Sequence, residues 1–353
     1  MPTLFSTPLR LRGLELSNRL FMPPMCQYSA TDGLPNAWHR QHYLTRALGG
    51  VSLIVIEATA VSPEGRISPA DLGLWNDAQR DAFRPLVDAI HGAGAMVAVQ
   101  LAHAGRKAST SIPWLGKGQV PESAGGWGTI APSAIPFDPA DSAPRDMDQG
   151  DIERVEKAFG DAARRALEAG FDAIELHAAH GYLVHQFLSP LSNLRSDAYG
   201  GDLAGRSRLL RELVTIVRRE LPATMPLLVR VSATDGLPGG WDVDECAAVL
   251  KALKSDGVDF VDVSSGGLAP GAKMILGPGY QVGFATRIRA ATGLATGAVG
   301  LITSAEQVEQ ILIAGSADAV SLGRLLLRDP YWPARNLAAE ARRVPGQYLR
   351  AFS

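Results

Sequence analysis

The sequence predicts an α/β fold, a (β/α)8 barrel of parallel strands, on three observations. Short apolar, β-branched runs alternate with helical patterns along most of the chain, the pattern of parallel strands covered by helices. Eight such strand–helix units can be placed on the sequence, and eight is the number that closes a barrel. The competing open, doubly wound sheet carries a glycine-rich turn after an early strand. The one candidate here, Gly92-Ala93-Gly94, precedes a strand and reads as a helix stop.

Taken in order, Arg19 to Met22 is the first predicted strand, and Pro23-Pro24-Met25-Cys26 leaves its end. Ala37 to Leu48 is a helix stopped by Gly49-Gly50, and Val51 to Glu57 is the second strand. Asn76 to Ala93 is a helix, and Met96 to Leu101 is the third strand. A helix from Asp151 to Ala169, stopped by Gly170, leads into the fourth strand, Phe171 to Leu176. Leu203 to Leu221 is helical and Leu227 to Ser232 is the fifth strand. Asp242 N-caps a helix to Ser255, and Phe260 to Ser264 is the sixth strand. A helix from Tyr280 to Ala291 precedes the seventh strand, Leu294 to Val299, and a helix from Ser304 to Ala314 precedes the eighth, Ala319 to Leu322. A last helix is expected from Trp332 to Arg343. Two stretches fall outside the repeat. Phe5 to Leu16 reads as a hairpin plugging the barrel's bottom, and residues 102–149, rich in Pro, Gly, Ser and Trp, form a lid-like excursion after the third strand. A loop that long in a compact protein is usually functional. Residues 1–353 are expected to make one barrel domain with 102–149 as its capping segment.

Composition narrows the function. The chain of 353 residues is 46% hydrophobic and 20% charged with a net charge of −2, an ordinary globular balance. The absence of a basic block argues against nucleic acid as the main partner. Cys26 and Cys246 are the two cysteines, too few for a disulfide framework. No signal peptide is evident, and the apolar runs are too short to span a membrane, so a cytoplasmic protein is expected.

The candidate chemistry gathers where strands end, the edge at which barrels bind ligands. His177 and His180, at i and i+3, and Tyr182 follow the fourth strand. They offer two neutral hydrogen-bond donors and one weak acid, suited to polarising a carbonyl and delivering a proton nearby. Half a zinc site is the competing reading, but zinc takes three or four ligands, and His39, His42, His91, His103 and His185 are scattered; no metal is assigned. Two structural histidines are the other reading. Pro24, Met25, Cys26 and Tyr28 follow the first strand, Glu57-Ala58-Thr59 the second, and Gln100 and His103 the third. Arg230 lies on the fifth, Gly297 and Gly300 on the seventh, and Gly323-Arg324 on the eighth. Glycines after the last two strands expose N–H groups to a phosphate, and Arg324 adds a bidentate cation. A phosphate site on one side, Gln100 and Arg230 at the centre and the imidazoles opposite imply a long planar cofactor. FMN fits: the Gln100 amide pairs with a pyrimidine-like edge, and Arg230 holds negative charge at the flavin's N1/O2 edge. A structural ion pair of Arg230 with Glu57 or Glu175 is the alternative.

These segments resemble the old yellow enzyme family of flavin-dependent ene-reductases, most closely the thermophilic-like branch with the Bacillus NADPH dehydrogenase and the xenobiotic reductases. The resemblance spans essentially the whole chain. It rests on PPMCQYS at 23–29, VQLAHAGRKA at 99–108, HAAHGYLVHQFLSPLSN at 177–193, LVRVSA at 228–233, ATGAVGLIT at 295–303 and SLGRLLLRDP at 321–330. It implies that Pro23, Pro24, Met25, Cys26, Ala58, Gln100, Arg230, Gly300, Gly323 and Arg324 contact FMN. It further implies that Tyr28, His177 and His180 contact substrate, that Tyr182 is the proton donor, and that the Cys26 thiol tunes the flavin. The C-terminal segment Gln347 to Phe352 is similar to the branch in which an arginine, here Arg350, reaches a neighbouring active site in a homodimer or homotetramer. The branch follows that arginine with Gly-Trp, whereas Ala351-Phe352 follow it here. The implied reaction has two halves. NADPH or NADH reduces FMN, and the flavin then passes hydride to an α,β-unsaturated carbonyl compound or a nitro compound. Two other classes compete. A metal-dependent barrel hydrolase needs a His-x-His pair that Met25-Cys26-Gln27 does not supply, and a non-catalytic flavin-binding protein needs no acid at Tyr182.

Overall fold

The computed structural model describes residues 3–351. Eight parallel strands close on themselves: β1 (Leu20–Met22), β2 (Leu53–Ala60), β3 (Met96–Ala102), β4 (Ala173–Ala178), β5 (Leu227–Ser232), β6 (Phe260–Ser264), β7 (Ala295–Ala298) and β8 (Ala319–Ser321). Closure comes from the pairing of β1 with both β8 and β2. A short strand, Leu72–Gly73, adds to the upper end of β2.

Alternation along each strand sorts the barrel into layers. Leu20, Met22, Ile54, Ile56, Val97 and Val99 face outward into the main core against the helices. Phe21, Leu53, Val55, Ala98, Ala173, Leu228 and Phe260 face inward and fill the lower barrel. The hairpin Leu9–Leu11/Leu14–Leu16 closes that end, with Leu11 and Leu16 buried in the same inner cluster. Two residues further along the same inward rows the side chains turn polar: Glu57, Gln100, Glu175, Arg230 and Asp262, all buried. The sequence therefore builds an apolar plug below and a polar floor above it.

Helices start where a side chain accepts the first free N–H groups. Asn36, Asn76, Asp148, Asp202, Asp242 and Ser304 do this for the helices at Ala37–Leu48, Asp77–Gly92, Gln149–Ala169, Leu203–Glu220, Val243–Asp256 and Ala305–Ile313. Gly170, at φ 95°, ends the third of these. The expected helix from Trp332 to Arg343 is only Trp332–Asn336. Leu337 turns extended, and the Ala338 N–H donates to the Ser6 hydroxyl at 3.0 Å, so the chain leaves the helix to pack under the barrel. Two short helices escaped the reading, Leu183–Leu188 and Gly323–Arg328. Six residues are too few for a 3.6-residue period to show. Among the described residues no helix is long and apolar enough to cross a membrane.

The excursion after β3 carries two short paired strands, Ile130–Ala131 and Arg145–Asp146. Its inner end is pinned to the barrel. Arg106 donates to the carbonyls of Ile135 and Leu268 at 3.1 and 2.8 Å, and the Arg66 guanidinium lies between the rings of Trp75 and Trp127.

Candidate active site

The histidine pair sits where β4 ends. His177 is the last inward residue of that strand, and its ring lies 5.3 Å from His180 and 4.9 Å from Tyr182, both edge-on. The turn between them is tightly specified. His180 takes a left-handed backbone, φ 58°, uncommon for a side chain of this kind. Gly181 follows at φ 73°, and a Cβ there would meet the Gly267 carbonyl oxygen at 2.2 Å. The loops after β4 and β6 thus touch through backbone. Lys107 clamps the contact, its ammonium donating to the carbonyls of His180 (2.7 Å) and Gly267 (3.0 Å) and lying 4.9 Å from the Tyr182 ring centre. Burial and the neighbouring Arg106 pull the Lys107 ammonium down to about 8.

Electrostatics keep both imidazoles neutral. Burial first, then the Arg230 charge, holds His177 and His180 well below the ordinary histidine range. The Ala179 N–H donates to His177 Nδ1 at 3.3 Å, leaving the proton on Nε2. His180 Nε2 lies 2.7 Å from the Ser264 hydroxyl. Gln281 Oε1 already accepts from Ser265 at 2.6 Å and is farther from Ser264, at 3.2 Å. Ser264 thus has two acceptors within reach, Gln281 Oε1 and the nearer His180 Nε2, and donation to the imidazole places the ring proton on Nδ1. Burial also raises the Tyr182 phenol well above its ordinary range, so it stays protonated.

Below this pair lies the polar floor. Gln100 Nε2 donates to Glu175 at 2.8 Å, which fixes the amide plane. Arg230 pairs with Asp262 at 3.1 Å and lies 3.3 Å from the Pro24 carbonyl. The alternative for Arg230, an ion pair with Glu57 or Glu175, is corrected in its partner: the pair forms with Asp262, which β6 brings beside Arg230 by strand register. Burial, then Asp262, raises the Glu175 carboxyl to about 8, and one of its oxygens has no partner among the described residues. Glu57 serves the rim: it accepts from the Gln27 N–H at 2.5 Å and the Tyr43 hydroxyl at 3.0 Å. That holds the turn in which Tyr28 sits at φ 48°. Burial raises the Cys26 thiol well above its ordinary range, so it stays a thiol. Cys26, Tyr28 and Tyr182 all pack on one apolar patch that includes Ala58.

On the far side a cavity of about 280 Å³ runs from Arg230 and Ser264 past Pro23, Pro24 and Met25 to Gly300, Gly323 and Arg324. Gly300 stands at φ 123°, where a Cβ would also meet the Tyr280 ring at 2.9 Å. A Cβ on Gly323 would meet only Met25 and Pro23 at 3.6 and 3.7 Å, so packing does not demand glycine there. Its absence leaves open space beside the exposed Arg324. This cradle, with buried Arg230 and Gln100 at the centre, fits a phosphate-bearing planar cofactor. Gly297 does not belong to it: a Cβ there would lie 2.8 Å from Phe260, so that glycine serves barrel packing. His103 is buried, and its Nδ1 accepts from the Gly105 N–H at 3.1 Å. Arg350 lies in the turn Gly346–Ala351, remote in sequence from every mouth segment, and Phe352 lies outside the described residues. Lys107, Asp262 and Ser264 are the site residues that sequence reasoning missed. Asp262 and Ser264 share the inward row of Phe260, which strand alternation reveals, and Lys107 lies within the segment at 99–108.

The fold and this cradle define a barrel oxidoreductase that works through a flavin. The NADH:flavin oxidoreductase / NADH oxidase family model matches residues 3–341. An NADPH dehydrogenase of Geobacillus thermodenitrificans is 48% identical over 357 residues, covering 100% of this chain and 99% of the relative. One of Listeria innocua is 46% identical, with 100% of both covered. Morphinone reductase in complex with tetrahydroNAD superimposes with a TM-score of 0.78 at 30% identity, covering 95% of this chain and 90% of that one. The chain belongs to this family, the old yellow enzyme family. Its cofactor is FMN and its reductant NAD(P)H.

Proposed function

We propose that the protein is an ene-reductase, reducing the activated C=C bond of α,β-unsaturated carbonyl compounds, with nitro compounds as a further class. The observation that carries this reading is the grouping of two neutral imidazole donors and a protonated phenol within about one ring width, above a floor built for a flavin.

Gly300, Gly323 and Arg324 hold the phosphate, Gln100 and Arg230 the ring edge, and Pro23, Pro24, Met25, Cys26 and Ala58 line the remainder. When bound, FMN reduced by NADPH or NADH supplies the hydride for the β carbon. His177 Nε2–H and His180 Nδ1–H bond the carbonyl oxygen and stabilise the negative charge that develops there, at ~3 kcal/mol of barrier for a well-placed donor. Tyr28 borders the substrate. The Tyr182 hydroxyl gives its proton to the α carbon and is reprotonated from water. The Lys107 ammonium beside its ring favours the phenolate that forms transiently. NADPH consumption under anaerobic conditions with 2-cyclohexenone, and identification of cyclohexanone, tests the reading. A flavin that is reduced by NADPH but never reoxidised by any enone would overturn it.

The reading places the enzyme in the cytoplasm as a homodimer or homotetramer. Arg350 reaches the neighbouring mouth, where its guanidinium borders substrate or the phosphate of NADPH. Support comes from the exposed Leu349 beside it, 58% accessible in the single chain, although Tyr348 packs edge-on to the chain's own Tyr331 at 6.0 Å. Mixing Arg350→Ala with His177→Ala/His180→Ala under subunit exchange is expected to restore part of the activity. No recovery despite proven exchange would leave Arg350 serving its own subunit.

A further inference from the structure

The excursion after β3 carries an aromatic side chain that the reaction described above does not use. Trp114 is 65% exposed, and its neighbour Leu115 is 76% exposed. An indole left mostly in water forfeits the burial that its ring area would give. A single exposed apolar residue is ordinary, but this one is held in place. Its ring stands edge-on to Tyr28, with centroids 5.9 Å apart and planes at 77°.

The loop that presents it is anchored at its base. The Thr110 N–H and hydroxyl both donate to the Ile67 carbonyl, at 2.7 and 2.9 Å, and Thr110 bridges antiparallel to Gln119. Ser109, left-handed at φ 58°, accepts the Trp127 N–H at 2.9 Å through its hydroxyl and the Val120 N–H at 2.6 Å through its carbonyl. The Leu115 N–H returns to the Ile112 carbonyl at 2.8 Å, making the tight turn that carries Trp114 at its tip. Tyr28, beneath it, shares an apolar patch with Cys26 and Tyr182, and Tyr182 touches His177. One apolar patch therefore joins the proton donor to Tyr28, and the Tyr28 ring leads on to Trp114. The inner end of this run, Tyr182, is half-buried and its outer end, Trp114, faces water.

We propose that Trp114 is a specificity-determining residue, a wall at the outer end of the substrate position that selects unsaturated carbonyl compounds carrying a flat apolar or aromatic substituent. The inference rests on the ene-reductase reading for where the carbonyl lies. With that oxygen at the histidine pair, a small cyclic enone stays over the inner patch, whereas a phenyl group conjugated to the alkene extends toward Tyr28 and Trp114. The exposed indole then gains an apolar partner, and edge-on packing of the kind it already makes with Tyr28 is available to the ligand's ring.

The test compares 4-phenyl-3-buten-2-one with 2-cyclohexenone in the wild-type holoenzyme, Trp114→Ala and Trp114→Phe. Kd is read from the change in flavin absorption of the oxidised enzyme, and kcat and KM are read at steady state. In Trp114→Ala the preference for the phenyl compound, as the ratio of the two Kd values, is expected to fall roughly three- to tenfold. The loss should lie in KM rather than kcat, and Trp114→Phe should recover most of it. An unchanged ratio, or equal weakening for both ligands in a variant with wild-type thermal stability, overturns the proposal. If the ene-reductase reading itself fails, wild-type enzyme turns over neither compound, while the ratio of Kd values still decides the role of Trp114.

Discussion

His180 meets several demands at once. Its backbone is left-handed, its carbonyl is bonded to Lys107, and its Nε2 faces Ser264. The side chain can donate to a substrate from Nδ1 only while Ser264 donates to Nε2, which makes Ser264 a positioning residue. Ser264→Ala releases the ring and lets the proton move to Nε2. A phenol such as p-hydroxybenzaldehyde reports on this. Bound as the phenolate, it should give a long-wavelength charge-transfer band, because neutral donors at the oxygen favour the anion. Ser264→Ala is expected to weaken phenol binding by roughly five- to tenfold, the size of one lost hydrogen bond. His177→Ala should weaken it further. Binding and band intensity unchanged in Ser264→Ala would show that His180 does not depend on that hydroxyl.

At the scale of elements, the contact between the loops after β4 and β6 sets the site. Gly181 and Gly267 face one another with no room for a Cβ on either: an added Cβ on Gly267 would lie 2.7 Å from the His180 Cα. Gly181→Ala carries both a steric clash with backbone and a strained φ, so a lower melting temperature and a loss of enone turnover larger than the loss in FMN reduction are expected. Wild-type turnover in that variant would mean the loops tolerate separation. The strands were legible in the sequence because β-branched apolar runs have few alternatives, and the residues at their ends followed from position. What escaped notice depended on facing. Asp262 is an unremarkable acid in the run FVDVS until barrel closure turns it inward to Arg230. Leu183–Leu188 and Gly323–Arg328 are too short to show a period. The overlong helix from Trp332 failed because Leu337 to Arg343 is rich in strong helix formers, while a tertiary contact, the Ser6 hydroxyl on Ala338 N–H, redirects the backbone.

For the whole molecule, building a polar floor inside an apolar barrel has a consequence for stability. Burial raises the Glu57 carboxyl to about 8, and Glu175 is shifted the same way. A carboxyl whose folded pKa lies above its unfolded value takes up its proton on folding. Its contribution is complete below the unfolded value and is lost as pH rises through the folded one. The buried His39 and His103, both lowered to about 4, act in the opposite sense, but only below the ordinary histidine range. Between pH 6.5 and 8.5 Glu57 and Glu175 each act at up to about 1.4 kcal/mol per pH unit, opposed at the upper end by Lys107, whose ammonium is lowered to about 8. The urea midpoint should therefore fall across that interval, and Glu57→Gln should flatten the fall. A midpoint that rises from pH 6.5 to 8.5 would contradict the buried, protonated floor. The central claim is that the histidine pair and Tyr182 together perform the oxidative half of a flavin cycle, and stopped-flow kinetics of Tyr182→Phe test it most directly. The rate of flavin reduction by NADPH should stay near wild type, while reoxidation by 2-cyclohexenone slows by roughly a hundredfold or more, the range expected on losing a general acid. Equal slowing of both halves, or reoxidation at the wild-type rate, would contradict the assignment.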